Sequence, residues 1–371
     1  MVADFGRRLV RVRDLGERFD EAIARGEQAR LGDVIERVVE GDLVTRHRED
    51  VRDAQPQRDQ HDRAECVPEA TVHRGASSHP REIRPRHARR ASMLAPMRCT
   101  VRFTDRADDV LSTAGLFLTS KPVEHNLILT LLHQRAAAPV PGRYWMVAAD
   151  GEIVGVVVQS PITFPATLTP MPSDAVVAAV DAVVDQGVEL PGVGGEASSV
   201  ARFAGRWTER RHMSAVPTHG QRLYELRSVA LPDLSGGRLR VGDVAERDLL
   251  VEWMVRFHED IGEDPVHAAY VVVDAGLATG QLWVWDVDRP VSMAANTDTI
   301  AGVNRVRAVY TPPEHRCRGY ASVCVGALSA QLLERGERPI LYTDLANATS
   351  NSVYRRLGYT AVSEILRYRF D

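Results

Sequence analysis

From residue 97 onward, apolar and polar positions recur at two spacings, and each spacing predicts one kind of element. Short apolar runs that predict strands occupy residues 100–103, 145–149, 153–159, 166–172 and 223–226. Longer stretches with helical spacing occupy residues 108–119, 124–133 and 174–186. Ser173 is expected to cap the last helix, and Asp150-Gly151 predicts a hairpin turn. The order is therefore strand, helices, strands, helix, strands.

A second series of elements begins after residue 237. Asp243 is expected to cap a helix whose apolar positions share one face. These positions are Leu249, Leu250, Trp253, Met254 and Phe257. Strands are predicted at residues 238–241, 282–285, 291–296, 303–310 and 340–342. The two series predict an α/β protein with a mixed sheet flanked by helices.

Changes in composition divide the chain into parts. Residues 97–229 and 238–371 are expected to form two globular units, joined by a Pro- and Gly-containing linker at 230–237. Residues 1–96 differ, because their second half is dense in Arg, Asp, His and Pro and has no aromatic residue from 45 to 92. Such a segment cannot bury enough apolar surface to offset its ordering entropy. We expect a disordered extension there or, alternatively, a misassigned start, with translation beginning at Met93 or Met97.

Composition also narrows the class of partner. The net charge is −4, and acidic residues interleave with the arginines of the first segment, so we expect no nucleic-acid partner. The chain has neither a long apolar run nor a secretory signal, which predicts a cytoplasmic protein that does not bind a membrane. The four cysteines lack the spacing of metal ligands, so no metal is expected.

Residues 305–321 combine a strand, a tight turn and the start of a helix. A Pro-Pro pair ends the strand, because proline cannot donate to a β-ladder. The turn then reads Arg316-x-x-Gly319-x-Ala321. The first N–H groups of a helix have no internal partner and attract anions, and Gly319 and Ala321 leave room for a diphosphate. The alternative is a plain strand-to-helix turn with solvated arginines.

A second motif follows one helix and one strand later. Asn347 is followed by Tyr354 and then by Gly358-Tyr359. In order and spacing, the two motifs resemble those of the GCN5-related N-acetyltransferases. The anion-binding motif of that family is Gln/Arg-x-x-Gly-x-Gly/Ala.

The resemblance covers residues 238–371 and departs from the family pattern at Cys317, where the family often has glycine. It implies the fold of the acyl-CoA N-acyltransferases, in two tandem copies. Residues 97–229 share the order of elements but lack the anion-binding motif, since Asp174 stands at the expected helix start. We therefore interpret the first copy as degenerate, without acetyl-CoA, and expect it to pack against the second and shape the substrate cleft.

The resemblance implies an N-acetyltransferase that moves the acetyl group of acetyl-CoA, its co-substrate, to an amine by direct attack in a ternary complex. The backbone of Val309 and Tyr310 would meet the pantetheine arm between two splayed strands. Asn347 and Asn351 would lie beside the thioester. The residues that would hold the diphosphate are Arg316, Cys317, Arg318, Gly319, Tyr320, Ala321 and Ser322.

Two side chains are candidates for moving protons. Tyr354 is the candidate general acid, because a phenol with a pKa of about 10 can protonate a thiolate whose thiol has a pKa of about 8.5. Alternatively, this tyrosine packs against its helix. Glu259 is the candidate acceptor of the amine proton, with His258 as its rival and a solvated helix-end charge as the structural alternative.

The acceptor is expected to be an amine-bearing small molecule, with a protein amine as the second choice. Two other functions remain open. One is a non-catalytic regulatory module that binds acyl-CoA, and the other is an acyltransferase that uses a longer acyl-CoA. The oligomeric state does not follow from the sequence.

Overall fold

The computed structural model describes residues 97–232, 236–262 and 265–371, all of which belong to one compact unit. The predictions made for residues 1–96 lie outside the described residues. Within these ranges no helix is both long enough and apolar enough to cross a membrane.

The described chain alternates strands and helices, and it contains elements that are not predicted from the sequence, among them β5, α6 and β12. The strands are β1 (Cys99–Thr104), β2 (Arg143–Ala149), β3 (Glu152–Gln159), β4 (Ala166–Leu168), β5 (Gly192–Glu196), β6 (Ala215–Glu225), β7 (Arg238–Val241), β8 (Leu282–Asp286), β9 (Pro290–Asn296), β10 (Val303–Tyr310), β11 (Arg338–Asp344) and β12 (Thr360–Phe370). The helices are α1 (Ala107–Ser120), α2 (Asn126–Ala137), α3 (Ser173–Asp185), α4 (Ala197–Arg211), α5 (Arg247–Asp260), α6 (Pro265–Thr279), α7 (Tyr320–Glu334) and α8 (Ala348–Arg356).

All of these strands join one mixed sheet in the order β1-β2-β3-β4-β5-β12-β6-β11-β10-β9-β8-β7. Strands β1 to β5 therefore lie on one side, and β7 to β11 lie on the other. The prediction of an α/β fold with a mixed sheet flanked by helices is confirmed.

The last strand of each half lies inside the other half. β12 pairs antiparallel with β5 and with β6, and β6 also pairs antiparallel with β11. The β6–β12 ladder runs from the pair Thr360 and Glu225 to the pair Phe370 and Ala215, with two register shifts. The two halves thus exchange strands. One continuous sheet joins them, although the sequence predicts two separate units connected by a linker at 230–237.

Each exchanged strand places aromatic side chains in the core of the other half. Phe370 of β12 packs with Trp207 of α4, the ring centroids lying 5.2 Å apart, in the cluster under α3 and α4. Tyr224 of β6 belongs to the cluster under α7 and α8, together with Leu341 and Tyr354. Both cores are therefore completed by residues from the opposite half.

On the other face of the sheet, the turn between α1 and α2 reaches the second half. Val123 in that turn is buried against Leu223 of β6, Val303 of β10 and Ile340 of β11. Ile300, in the loop before β10, packs in return on the core between α1, α2 and the sheet. The first half thus covers part of the second half's sheet.

Three local predictions need correction. Ser173 does not cap α3, because it is the first helical residue and follows Pro172, which has no capping side chain. The strand predicted at 166–172 ends at Leu168, since Pro170 and Pro172 cannot extend the ladder. Asp243 caps a 3-10 turn at residues 244–246, and α5 begins after it, at Arg247.

The strand β5 was not predicted, because its sequence Gly-Val-Gly-Gly-Glu lacks the β-branched alternation of a typical strand. Glycine is required at Gly192, because a Cβ atom there would overlap the carbonyl oxygen of Tyr368 on β12. The close approach of β12 therefore explains why glycine stands at this position of β5, although glycine is uncommon in strands.

The strand exchange predicts that neither half folds alone. Fragments 97–229 and 238–371, produced separately, should lack a cooperative thermal transition, because each misses its neighbour strand and exposes the edge of β5 or β11. Produced together, they should copurify as a folded complex, as judged by circular dichroism and size-exclusion chromatography. The uncut fragment 97–371 is the control, and a cooperative transition in either isolated half would contradict the prediction.

Candidate functional site: a splayed pair of strands beside an open helix N-terminus

The parallel strands β10 and β11 separate before they end. Their register runs from Val303 opposite Arg338 to Arg305 opposite Ile340 and then stops. β10 nevertheless continues to Tyr310 and β11 to Asp344. The backbone edges that face each other beyond Arg305 therefore have no partner strand, and an extended ligand can pair with them.

β10 bends at this opening. Its register with β9 shifts between Arg307 and Tyr310, and the non-glycine residue Ala308 has a positive φ of 48°. Ala308 and Val309 have no cross-strand partner on either β9 or β11. Such a bulge changes the direction in which the backbone N–H and C=O groups point. The bulge could not be predicted from the sequence, because no glycine marks the position.

The turn after β10 ends at the open N-terminus of α7. Gly319 is the N-cap residue and adopts the left-handed conformation, with φ 78° and ψ 4°. No side chain caps this end, and the first turn contains no acidic residue. The N–H groups of Tyr320, Ala321 and Ser322 thus lie at the positive end of the helix dipole, as the anion-binding prediction requires.

Two arginines of the turn behave differently. Arg318 is exposed and forms no hydrogen bond or ion pair with another described residue. Arg316 donates from Nε to the carbonyl oxygen of Thr311 at 2.9 Å and from Nη2 to Asp260 at 2.8 Å, and its guanidinium lies over the Tyr310 ring. Arg316 therefore links the turn to the end of α5, a contact that sequence spacing does not reveal.

The cysteines near the turn offer no free nucleophile. Cys317 has a positive φ of 62° and is disulfide-bonded. Cys324 lies on the buried side of α7, and desolvation raises the pKa of its thiol to about 12. Neither side chain is therefore a candidate nucleophile.

Asn347 and Asn351 have structural partners. Asn347 caps α8, its Oδ1 accepting a hydrogen bond from the N–H of Ser350 at 2.9 Å. Asn351 is buried; its amide donates to the carbonyl oxygens of Asp344 and Asn347 and accepts from the Tyr224 hydroxyl at 3.0 Å. These contacts fix the start of α8 at the end of β11. The predicted contact of both residues with a thioester stays a prediction.

Tyr354 lies one helical turn after Asn351, in the core beneath α8. Its ring centroid lies 6.0 Å from that of Tyr359 and 6.5 Å from that of Tyr224. Burial raises the pKa of its phenol to about 12. Tyr354 thus keeps its proton at neutral pH. Its ring packs in the core beneath α8, which is also what the alternative interpretation, a purely structural tyrosine, predicts.

The end of α5 presents three candidates on the acceptor side. Glu259 is exposed, and its carboxylate forms no hydrogen bond with another described residue. His258 is 4% exposed, which limits its contact with a substrate. The neighbouring Asp260, rather than Glu259, contacts the turn through Arg316. No observation tests the predicted role of Glu259.

The corresponding helix start of the first half, at α3, has different local chemistry. Asp174 of α3 accepts a hydrogen bond from the N–H of Met97 at 3.0 Å, and Pro172 precedes the helix without left-handed geometry. Glu196 caps α4 by accepting from the N–H groups of Ser198 and Ser199. The interpretation of the first copy as degenerate, without acetyl-CoA, stays a prediction. Across the described ranges, no group of three or more His, Cys, Asp or Glu residues is placed to hold a metal.

Residues 289–368 match the family model described as FR47-like protein, which is related to the GCN5-related N-acetyltransferases. The matched segment runs from the turn before β9 into β12, so it contains the splayed strands, the turn before α7 and Tyr354. No curated protein matches the chain.

Solved structures with similar folds include a Drosophila protein, 12% identical, with a TM-score of 0.52 over 72% of this chain and 98% of that one. A GNAT-family acetyltransferase from Colwellia psychrerythraea is 11% identical, with a TM-score of 0.49 over 73% of this chain and all of that one. A tandem GNAT protein from the clavulanic acid biosynthesis pathway is 12% identical, with a TM-score of 0.46 over 72% and 98%. The predicted acyltransferase fold is confirmed. Likeness at these identities concerns fold alone.

Gly319→Glu should abolish binding of coenzyme A, because it adds a negative charge to the open helix end and forces a left-handed residue. Gly336→Glu is the matched control: Gly336 follows the other end of α7, has the same φ of 78°, and has open space around it. Both variants should lose about 1–2 kcal/mol of unfolding free energy. Calorimetric titration with coenzyme A measures the binding. Equal affinities of the Gly319→Glu and Gly336→Glu variants would contradict the prediction.

Asp260→Asn should strengthen coenzyme A binding about threefold at low salt, because it releases the Arg316 guanidinium for an incoming phosphate. The effect should fade at high ionic strength, since both side chains are about half exposed. Asp248→Asn, on the exposed first turn of the same helix, is the control and should change nothing. Weaker binding by Asp260→Asn would show that the ion pair supports the site.

Proposed function

We propose that the protein is an N-acetyltransferase that transfers the acetyl group of acetyl-CoA to an amine by direct attack in a ternary complex. The observation that carries this proposal is the opening between β10 and β11, which lies directly beside the open N-terminus of α7. An extended arm with a diphosphate at one end fits this combination. Acetyl-CoA has this shape, with its thioester at the other end of the arm.

Donor binding would rest mainly on the backbone. The N–H groups at the start of α7 would hold the diphosphate, with Arg318 and Arg316 adding positive charge. The pantetheine arm would pair with the free edges of β10 and β11, where Ala308 and Val309 have no strand partner. This arrangement would direct the thioester into the opening, toward the bulge at Ala308 and Val309.

The transferred group would react at the bulge. The amine nitrogen attacks the thioester carbonyl carbon, negative charge develops on the carbonyl oxygen, and the carbon–sulfur bond then breaks. An N–H group freed by the bulge, that of Val309, is the proposed donor to this oxyanion. One such donor contributes about 10²–10³ in rate in other acyl-transfer enzymes.

Two protons must move during the reaction. We assign to Tyr354 the donation of its phenolic proton to the departing thiolate, after which the phenolate regains a proton from water. Burial keeps this acid protonated, since it raises the Tyr354 pKa to about 12, above the pH of any ordinary assay. The exposed carboxylate of Glu259 is the proposed acceptor, directly or through water, of the proton released by the amine. The buried His258 is less accessible for this step.

Tyr354→Phe should lower kcat at least about 100-fold without changing the affinity for acetyl-CoA, because it removes the proton donor and retains the ring packing. Tyr359→Phe is the control, since its hydroxyl lies 2.7 Å from Ser329 Oγ in the core. That variant should lose stability and keep the wild-type kcat. The measurement is release of coenzyme A with the best amine of a panel; an unchanged rate in Tyr354→Phe would remove the assigned role.

The pH profile provides a further test of the same assignment. A group with a raised pKa keeps its proton until the pH approaches that raised value. With a Tyr354 pKa of about 12, kcat should show no decline caused by loss of this proton between pH 7 and pH 10. A decline in wild type that is absent in Tyr354→Phe would support the acid role but contradict the raised pKa, whereas an unchanged kcat in Tyr354→Phe over this pH range would contradict the assignment itself.

A further inference from the structure

The two faces of the sheet differ in accessibility at the opening between β10 and β11. On the face covered by α7 and α8, Val306 of β10 and Leu341 of β11 are buried in the core. The side chains that alternate with them reach solvent, because Arg307 and Tyr342 are half-buried and Asp344 is exposed. The accessible approach to the opening is therefore from the face opposite α7 and α8.

Arg307 lies on this accessible face, directly before the bulge of β10. It is paired with Ala295 of β9, which packs under α5 and α6. Arg305, two residues earlier, is paired with Ile340 of β11, and directly paired residues share a face of the sheet. The bulge, where the thioester is proposed to react, follows immediately. Arg307 is therefore the accessible charged residue that is nearest in the chain to the proposed reaction centre.

Positive charge predominates beside this position. Arg305 is 4% exposed, and because a guanidinium stays protonated in proteins, its charge acts there with little screening by water. Its effect reaches Tyr342: burial raises the pKa of that phenol, and the charge of Arg305 partly opposes the shift. The single acidic residue within β10 and β11 is Asp344, at the exposed end of β11. The electrostatic potential around Arg307 is therefore positive.

Positive charge continues across the neighbouring strands of the same face. Tyr342 is paired with Leu223 of β6, and His219, four residues before Leu223 on the same face, is paired with Arg367 of β12. Burial and then the charge of Arg367 lower the pKa of the His219 imidazole, and the more weakly acting Asp344 opposes them. The accessible face thus carries positive charge from β10 to β12.

We infer that Arg307 selects the acceptor by binding an anionic group, a carboxylate or a phosphate, that the amine carries close to its nitrogen. This inference rests on the proposed acetyl transfer. A guanidinium binds either anion through two parallel hydrogen bonds, which fix the orientation of the bound molecule. An acceptor held in this way has its nitrogen beside the bulge, and hence beside the proposed position of the thioester carbonyl.

The charges of this face also exclude a competing class of acceptor. An alkylammonium ion without an anionic group, such as a lysine side chain, forms no ion pair with Arg307 and is repelled by both Arg305 and Arg307. The same positive charges lower the pKa of an ammonium group, so that a larger fraction of a bound amine is neutral and nucleophilic. The acceptor is therefore a small zwitterionic amine, of the type of an amino acid or an aminoalkyl phosphate.

The first test compares acceptors that differ only in the anionic group. The pairs are glycine and glycinamide, β-alanine and β-alaninamide, and O-phosphoethanolamine and ethanolamine, with a lysine peptide as a further acceptor. Release of coenzyme A from acetyl-CoA is measured with the wild-type full chain. For the best pair, kcat/KM should be at least about tenfold higher for the anionic member, and that pair identifies the anion as carboxylate or phosphate. The preference should weaken at high ionic strength.

Arg307→Gln should remove this preference. It should lower kcat/KM for the preferred anionic amine about 10- to 100-fold, mainly by raising KM, and bring the ratio within the pair close to one. Affinity for acetyl-CoA, measured by calorimetry, should stay within about twofold. Arg307→Lys keeps the charge without the paired hydrogen bonds and should lose only part of the preference. Arg202→Gln is the matched control, because it removes an exposed arginine of α4, and it should behave as wild type.

The outcomes separate this inference from the proposed function. Equal kcat/KM values within every pair, a preference of wild type for the lysine peptide, or binding of acetyl-CoA without transfer to any anionic amine would overturn the inference. A wild-type preference that persists in folded Arg307→Gln, or that Arg202→Gln reduces equally, would also overturn it. Should Arg307→Gln not fold, an undiminished preference in Arg307→Lys has the same meaning. Failure of wild type to bind acetyl-CoA would instead overturn the proposed function itself.

Discussion

The pairing of β6 with β12 is the constraint on which the rest of the structure depends. Because β6 occupies one edge of β11, β11 is held in the sheet even where its other edge has left β10. The opening can therefore exist without unravelling the second half. The same strand carries Tyr224, whose hydroxyl fixes Asn351 and whose ring lies beside Tyr354. The first half thus contributes to the candidate site through a strand, even though its own helix start lacks the left-handed glycine.

The two halves repeat one plan and differ at the points where an anion would bind. In the second half, a left-handed glycine precedes α7, and neither a capping side chain nor an acidic residue occupies its first turn. In the first half, Pro172 precedes α3 and Asp174 carries a negative charge in the first turn. β4 also ends at Leu168, and the N–H of Met171 just beyond it donates to Ser199 Oγ. The two helix starts therefore differ in a few residues, and the proposed diphosphate site depends on that difference.

Local chemistry made much of the second half predictable from the sequence. The strand at 303–310 has the bounds predicted, and the turn and helix follow as the glycine and the prolines indicate. The strand exchange could not be predicted, because β6 and β12 are far apart along the chain and periodicity does not name a strand's partner. β5 was hidden by its glycines, of which Gly192 is required by the close approach of β12 and Gly195 by that of β4, and the bulge at Ala308 lacks any local marker. The ion pair of Arg316 with Asp260 likewise depends on the docking of α5 against the turn.

This difference follows from how the two sides of the candidate site are built. The donor side consists of one strand, one turn and one helix start that are contiguous in sequence, so residue types and spacing are sufficient to recognise it. The proposed acceptor side involves elements that are far apart along the chain, namely the end of α5 and the turn before α7, which the ion pair of Arg316 and Asp260 joins only in the folded protein. Residue types and spacing alone therefore do not specify which acceptor would fit, whereas the proposed donor side can be recognised in a short segment of the chain.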